Sequence, residues 1–452
     1  MNAIVVDKDN SSAELDRLAA IAEDVIRRCR ARGASEADVA ASIDAGLSVN
    51  VRLGEVETVE RTRDRGVSVS VYFGKRKGSA STADLDPKSI EQTVEHACAI
   101  ARYTEEDPAN GLADPALLAK DTPDLDIWHP WDISPEQAIR LAAEIEDAGR
   151  SFDPRIDNSD GASVQVGASL TAYANSLGFT GTERGTHHSL SVALIAEDAN
   201  GMQRDYWYDS VRSAGDFMAA AQLGRKAAER TLARLGAHRL STRDCPVLLV
   251  PEVARSLIGN FLSAVSGGAL YRRASFLVDH VGKRVFPDWM QIVERPRIPR
   301  GHGSTAFDSE GVATRDSDLV GDGVLARYIL GSYSARKLGL ASTGNAGGVH
   351  NVVVQPGRDD FDALLKRMGN GLLVTELMGQ GVSLITGDYS RGASGFWVEN
   401  GEIAYPVEEI TIAANLRDMF ANIIAVGNDV DRRSHILTGS ILLERMTIAG
   451  EE

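Results

Sequence analysis

The nine histidines of this sequence are the first residues to test for metal chemistry. A zinc site on one helix needs two histidines about one turn apart, so that both rings point the same way, and a glutamate that acts as base. No histidine here is followed by a glutamate, and no two lie three to five positions apart. His187 and His188 are adjacent on a predicted strand and therefore point to opposite faces. A site built from distant residues stays open, and its candidate ligands are Asp279, His280, His302 and His350.

Short matches to known motifs lack the context that their chemistry requires. Residues 334–337 match the SxxK pattern, in which a lysine activates a serine, but the SDN and KTG elements that accompany it are absent. Residues 301–306 and 321–326 match GxGxxA, yet neither is predicted to lie between the strand and the helix of a βαβ unit, as a pyrophosphate site requires. From its residues alone, the sequence shows no catalytic site.

The composition indicates a globular protein and argues against nucleic acid as a partner. The chain has 452 residues, enough for two or three domains, and its net charge is −16. Proteins that hold nucleic acid usually carry a basic excess instead. No apolar run reaches the roughly 18 residues of a membrane helix. Because Cys29, Cys98 and Cys245 are widely spaced, without a CxxC pair, we expect a reducing compartment and a cytoplasmic protein.

Helices and strands alternate irregularly in the first half of the chain. A capping box at Ser11 and Glu14 predicts a helix over residues 12–32, and Asp86-Pro87 predicts the start of another. Predicted strands cover residues 48–53 and 67–73, and antiparallel strands cover residues 162–213. Further helices are predicted over residues 134–149 and 217–235. The acidic, proline-containing residues 105–133 are interpreted as a surface connection.

The second half is predicted to be rich in glycine and dominated by strands. It starts with a strand at 246–250 and a helix at 252–265, and a late helix is predicted over 414–426. Asp322-Gly323 and Asn400-Gly401 predict two-residue hairpin turns. The fold class is therefore α+β, with antiparallel sheets flanked by helices in the N-terminal half. We expect an N-terminal region of residues 1–238, with a sub-boundary near 105–133, and a C-terminal domain of residues 239–452.

Long stretches of the C-terminal half match the sequence pattern of one known protein family. The longest are residues 337–351 (KLGLASTGNAGGVHN), 375–383 (TELMGQGVS) and 387–402 (GDYSRGASGFWVENGE). Shorter matching stretches are residues 76–81, 101–104, 307–312 and 446–450. These stretches resemble the PmbA-type (TldE) branch of the TldD/PmbA metalloprotease family, and the resemblance spans essentially the whole chain.

This resemblance implies a metalloprotease made of two subunits. In the family, a TldD-type subunit carries HExxxH on a helix and a cysteine near its C-terminus, which together hold zinc. The PmbA-type subunit has a similar fold without those ligands and completes the chamber of its partner. Implied substrates are unfolded or extended peptides, and an older association with DNA gyrase gave the family the name of modulator. We therefore expect no cofactor in this chain and zinc in a TldD-type partner.

The sequence departs from the catalytic pattern at the helix that follows the strand at 246–250. By an estimated offset, Phe261 and Ser266 replace the two histidines and Leu262 replaces the glutamate. Phenylalanine and leucine have no lone pair to offer a metal or a proton. No cysteine follows Cys245. The resemblance therefore implies a subunit that is not itself the hydrolytic centre, with neither catalytic nor metal-binding residues.

A glycine-rich stretch is the candidate wall of a peptide cleft or of the contact with the partner, because small residues let a peptide backbone approach closely. Its candidate residues are Met378, Gly379, Gln380, Gly381, Ser390 and Arg391. Ordinary tight turns are the alternative interpretation of this stretch. Two other functions stay open: a stand-alone peptide-binding homodimer without hydrolytic activity, and an enzyme whose metal site is built from scattered residues.

Overall fold

A computed structural model describes residues 10–199 and 201–450. The helices of this part are α1 (Ser11–Ala31), α2 (Pro87–Tyr103), α3 (Pro135–Arg150), α4 (Ala220–Ala233), α5 (Pro251–Ala264), α6 (Gly267–Tyr271), α7 (Ser332–Leu338), α8 (Phe361–Met368) and α9 (Leu416–Ala421). The strands of the N-terminal half are β1 (Glu36–Arg52), β2 (Glu55–Phe73), β3 (Arg76–Thr82), β4 (Asn158–Asn175), β5 (Thr180–Asp198) and β6 (Gly201–Val211). Those of the C-terminal half are β7 (Arg243–Leu249), β8 (Ile292–Glu294), β9 (Ser317–Gly321), β10 (Val324–Leu325), β11 (Val352–Val354), β12 (Gly371–Met378), β13 (Asp388–Glu399), β14 (Glu402–Asn415), β15 (Ile423–Val426), β16 (Ile436–Leu437) and β17 (Ile441–Ala449).

Strands β1 to β6 form one antiparallel sheet in the order β3-β2-β1-β4-β5-β6. Along β1 every second side chain is buried, from Ala37 to Val51, so one face of the sheet is apolar. Helices α1 and α2 pack on that face around the first half of β1, and α3 and α4 pack around its second half. Antiparallel sheets flanked by helices, as predicted from the sequence, are therefore confirmed for this half.

Strand β2 is much longer than the predicted 67–73, because its first part shows no hydrophobic alternation. Residues 55–65 are exposed, and many of them are charged. Strand β3 pairs only with the stretch from Val67 to Phe73. We call residues 55–66 the free edge of β2, since no described strand pairs with their outer side.

The C-terminal half contains two sheets around one core. Five short strands follow the order β10-β9-β8-β11-β16. Six others follow the order β14-β13-β12-β7-β17-β15, and an added pairing of β14 with β17 closes five of them into a ring. The buried core includes β7, β12 and β17 together with the inner face of α5. A strand-dominated C-terminal half, rich in glycine, is thus confirmed.

Two predictions about helix ends are wrong. Asn10, not Ser11, precedes α1, and the Ser11 hydroxyl accepts a hydrogen bond from Arg184 instead of capping the helix. The late helix predicted over 414–426 ends at Ala421, and residues 423–426 form β15, which pairs with β17. The run of Ile423, Ile424, Ala425 and Val426 is apolar in either conformation, so periodicity cannot separate a buried strand from a helix there.

Other local signals are confirmed. Asp86 caps α2, and Ser134 forms a capping box with Gln137 at α3. Asp322-Gly323 joins β9 to β10 and Asn400-Gly401 joins β13 to β14, each with the positive φ angles that such turns need. No helix among residues 10–199 and 201–450 is long and apolar enough to cross a membrane.

Arginine side chains connect the two halves of the chain. Arg433, from the C-terminal half, donates to the Tyr208 carbonyl of β6 at 2.9 Å and lies over the rings of Trp207 and Tyr208. Arg336, on α7, donates to the carbonyls of Ala109 and Gly111 in the segment that follows α2. The N-terminal half is therefore held against the C-terminal half by hydrogen bonds to the main chain of β6 and of the segment that follows α2.

Candidate functional site

Helix α5 occupies the place where the sequence predicts the remnant of a zinc motif. Pro251 opens the helix, and Glu252 lies in its first turn, where a negative charge is favourable. Its apolar residues recur at helical spacing, so one face is buried in the core of the C-terminal half. Both α5 and the strand before it are confirmed where the sequence predicts them.

Phe261 is fully buried in an aromatic cluster. Its ring meets the rings of Phe286 and Phe420 edge-on, with centroid distances of 5.0 and 6.0 Å. Such edge-to-face contacts add to the stabilisation from buried area. Leu262 is buried in the same core. These two positions therefore serve packing.

Ser266 lies beyond the C-terminal end of α5 and directly precedes α6. Its hydroxyl donates to the Ser263 carbonyl at 2.8 Å, and its main chain pairs with Ile329. This hydroxyl is used in closing the helix end. The Ser266 hydroxyl is thus bonded locally, and the side chains of Phe261 and Leu262 have no polar atom that could act together with it.

The sole carboxylate of α5 is engaged elsewhere. Glu252 accepts a hydrogen bond from Arg433 at 2.7 Å, and Arg433 also bonds to Asp431 at 2.9 Å. The side chains of all three are mostly buried. Glu252 is therefore part of a charged network between α5 and the loop after β15, and is paired with an arginine.

The six predicted wall residues lie together at one end of the ring of strands. Met378 ends β12 and pairs with Gly392, next to Arg391 on β13. The chain then turns back along β13, where the Ser390 N–H donates to the Gly381 carbonyl at 2.7 Å. The stretch from Met378 to Gly381 is exposed, as is Ser390.

Gly381 is required by this close approach. A Cβ atom at Gly381 would lie 1.8 Å from the Ser390 carbonyl oxygen, which is well inside contact distance. Gly379 has a φ of 76°, which favours glycine. The Arg391 Nε is buried and finds no hydrogen-bond partner among the described residues. Arg391 lies beside Tyr389, whose pKa is raised by burial.

Histidines form a group that the sequence did not predict. His187 and Ser210 approach within 3.2 Å through Nε2 and Oγ, and His302 Nε2 lies 3.2 Å from the Ser210 carbonyl oxygen. Burial lowers the pKa of His187 to about 4, so this ring is neutral near pH 7. Because the three residues are up to 115 positions apart on different elements, local spacing carries no signal of the group.

The distant residues that the sequence left open as ligands have separate partners. His280 bonds to the Val278 carbonyl, and His350 Nε2 lies 2.9 Å from the Gly344 carbonyl. Asp279 is paired with Arg273 at 3.8 Å. Among residues 10–199 and 201–450, no three His, Cys, Asp or Glu side chains are grouped so that they could hold one metal ion.

Comparison with protein families and known proteins decides the relationship of this chain. The family models of three PmbA/TldA metallopeptidase domains match it: domain 1 over residues 37–101, the central domain over 128–235 and the C-terminal domain over 242–450. Metalloprotease PmbA of Escherichia coli O157:H7 is 51% identical over 92% of each chain. The chain belongs to the PmbA/TldD metallopeptidase family, in its PmbA branch.

Two further comparisons are consistent with this assignment. A metalloprotease TldD homolog of Haemophilus influenzae is 23% identical, over 77% of this chain and 76% of its own length. The crystal structure of a proposed modulator of DNA gyrase from Bacteroides thetaiotaomicron superimposes with a TM-score of 0.91 at 28% identity, covering 96% of this chain and 99% of that one. The sequence identity of this chain to the E. coli PmbA protein, 51%, is therefore about twice its identity to this TldD homolog, 23%.

A metallopeptidase family implies a metal, but the residues of α5 in this PmbA-branch chain do not fit one. The helix carries neither histidine nor cysteine. Its carboxylate, Glu252, is held by Arg433. Phe261, at the predicted position of the first histidine, and Leu262, at that of the glutamate, are packed in the core. An apolar ring cannot replace a ligand with a lone pair.

Proposed function

We propose that this chain is the non-catalytic subunit of a two-subunit metalloprotease. Its partner is a TldD-type subunit that holds the zinc, and together the two chains enclose a chamber for unfolded or extended peptides. The observation that carries this proposal is the packing of α5, in which Phe261 is fully buried against Phe286 and Phe420. The proposal places the pair in the cytoplasm, where the buried, unpaired Cys29, Cys98 and Cys245 stay reduced.

In this proposal, the stretch from Met378 to Gly381 contributes a wall of the chamber or of the subunit contact. Met378 and Ile385 are large apolar side chains that are 45% and 64% exposed. Two large apolar side chains exposed within one short segment favour a contact surface over a solvated turn. The tight Gly381–Ser390 approach holds this segment against β13.

A second candidate is a stand-alone peptide-binding homodimer. The free edge of β2 favours it, because unpaired N–H and C=O groups along a long strand can pair with an added strand. That strand could come from a peptide or from a second copy of this chain. The charged side chains along the edge weigh against unspecific pairing.

Affinity capture of the tagged full chain from its own cells, with mass spectrometry of the bound proteins, separates the two candidates. Recovery of a homologue that carries HExxxH, in near-equal amount, supports the two-subunit protease. Self-association without such a homologue contradicts it and supports the homodimer. Gly381→Ala serves as a test of the proposed wall in the same capture, with Gly215→Ala as its control.

A further inference from the structure

A cavity of about 490 Å³ lies between the end of β6 and two loops of the C-terminal half. Four arginines contribute to its wall: Arg212, Arg300, Arg432 and Arg433. Its apolar lining comes from Val211, Ile298, Pro299 and Leu437. A pocket of this size that combines apolar walls with a few charged groups is typical of sites for small ligands or peptide ends. Its basic character is unusual in a chain whose net charge is −16.

Arg212 is a half-buried cation that has no hydrogen-bonded carboxylate among residues 10–199 and 201–450. Its guanidinium donates to the carbonyls of Thr186, Gly301 and His302 at 2.8, 3.2 and 2.6 Å. Burial lowers the pKa of Arg212, and Glu183 opposes that effect through space. Charges that are partly withdrawn from water are normally paired, so an anion in this cavity would add a hydrogen-bonded counter-charge to Arg212.

Glu183 faces Arg212 through space, and no hydrogen bond joins the two side chains among the described residues. Its carboxylate accepts a hydrogen bond from the Thr305 hydroxyl at 2.6 Å, and burial raises its pKa. The Glu183 carboxylate is thus engaged by Thr305, and the Arg212 guanidinium makes its hydrogen bonds to main-chain carbonyls.

The other charged residues that line the cavity differ in whether they already form ion pairs. Arg300 bonds to Asp126 and Asp216 at the rim, and Arg433 bonds to Glu252 and Asp431. Arg432 is exposed and has no ion pair among the described residues. Asp209, the remaining acidic residue of the wall, accepts the N–H groups of Ser210 and Met218. Arg432 is therefore available to an incoming anion.

We propose that this cavity binds the C-terminal carboxylate of an extended apolar peptide. The carboxylate faces Arg212 and Arg432, and the terminal side chains contact Ile298, Pro299 and Leu437. Guanidinium groups form strong charge-assisted hydrogen bonds with carboxylates. This inference rests on the proposed function for the peptide as ligand, while a free monocarboxylate with an apolar tail shares the same chemistry.

Isothermal titration of the full chain without any partner tests the proposal. The probes are acetyl-Ala-Leu-Leu with a free carboxylate, the same peptide as a C-terminal amide, and hexanoate. We expect the acid to bind about tenfold or more tightly than the amide, because the amide loses the charge-assisted contacts. Hexanoate is expected to bind more weakly than the acid.

Variants locate the binding. Arg432→Gln is expected to weaken the acid about tenfold and to leave the amide unchanged. Arg300→Gln, at the rim, provides a second variant with the same expected direction. Arg445→Gln is the matched control, since Arg445 is exposed, pairs with Asp244 and does not line the cavity. Thermal unfolding confirms that each variant is folded.

Four results would overturn the proposal. Two are equal binding of acid and amide and an unchanged affinity in Arg432→Gln. A third is binding of hexanoate as tight as that of the peptide acid, which would assign the cavity to small monocarboxylates. The fourth is absence of binding by all three probes. Because no partner is present, failure here leaves the capture experiment unaffected, and failure of the capture leaves this binding measurable.

Discussion

The ring of Phe261 meets the ring of Phe286 edge-on, with their centroids 5.0 Å apart and their planes at 80°. Phe420 lies against both rings, so helix α5 is anchored to the core at the level where the sequence predicts a lost metal ligand. A residue that fills this space cannot also present a polar atom to a metal. The packing of α5 and the proposed non-catalytic role are therefore two consequences of one side chain.

Replacement of Phe261 by alanine removes this anchor. We expect Phe261→Ala to lower the free energy of unfolding by about 3–5 kcal/mol, the usual cost of a large aromatic removed from a closed core. Urea titration followed by circular dichroism measures the change. Ser263→Ala, at an exposed position of the same helix, is the control and should change stability by less than about 0.5 kcal/mol. A loss below 1 kcal/mol for Phe261→Ala, on the order of a surface change, would show that the cluster contributes little.

Arg433 should be the strongest single connection between the two halves. Arg433→Met leaves Asp431 and Glu252 mostly buried without their cation, and we expect it to lower the free energy of unfolding by about 3–5 kcal/mol. Limited proteolysis should cleave the variant faster at the junction of the halves. Arg432→Met, the exposed neighbour, should leave the unfolding midpoint unchanged. Equal stability of the two variants would contradict the assigned role.

Asp38 should make stability depend on pH. Burial raises its pKa to about 6, with Lys77 acting in the opposite direction. The folded chain therefore binds a proton more readily than the unfolded one, and this contribution to stability is complete below about pH 4 and is lost as the pH rises through 6. Asp38→Asn should gain stability over the unmodified chain at pH 8, and that gain should vanish near pH 4. Thermal unfolding from pH 4 to 8 measures the difference; a gain independent of pH would refute the assignment.

We expect the contact of the proposed wall with a partner to depend on Gly381. Gly381→Ala forces the chain away from the Ser390 carbonyl, and we expect the captured amount of a TldD-type partner to fall at least about fivefold, which corresponds to roughly 1 kcal/mol of lost contact. Gly215→Ala is the control, because a Cβ there would meet only the Ser213 hydroxyl at 3.8 Å. Undiminished capture by a folded Gly381→Ala chain would exclude this segment from the contact.

Local signals predicted many elements of the fold correctly. The helices predicted over residues 12–32 and 252–265, the helix start predicted at Ser134 and the Asn400-Gly401 turn all depend on local signals, and the structure contains all four. The free edge of β2 was missed because its solvent-exposed charges carry no alternation. Residues 423–426 were assigned to a helix because a short apolar run has no diagnostic period.

Groups assembled by the tertiary fold left no trace in local sequence. The contact of His187 with Ser210, the contact of His302 with the Ser210 carbonyl, and the arginines of the cavity come from separate elements. The candidate wall residues, which lie between Met378 and Arg391, were chosen from the sequence, and the fold does bring them together. What those residues contact in a partner depends on a second chain and stays a prediction.

The most direct test of the proposed non-catalytic role measures peptide hydrolysis and zinc content in three samples. These are this chain alone, a TldD-type homologue from the same cells alone, and the two chains mixed in equal amounts. We expect hydrolysis of an unfolded peptide by the mixture only, with zinc retained by the homologue after dialysis. Hydrolysis by this chain alone, together with one tightly held zinc per chain, would contradict the account.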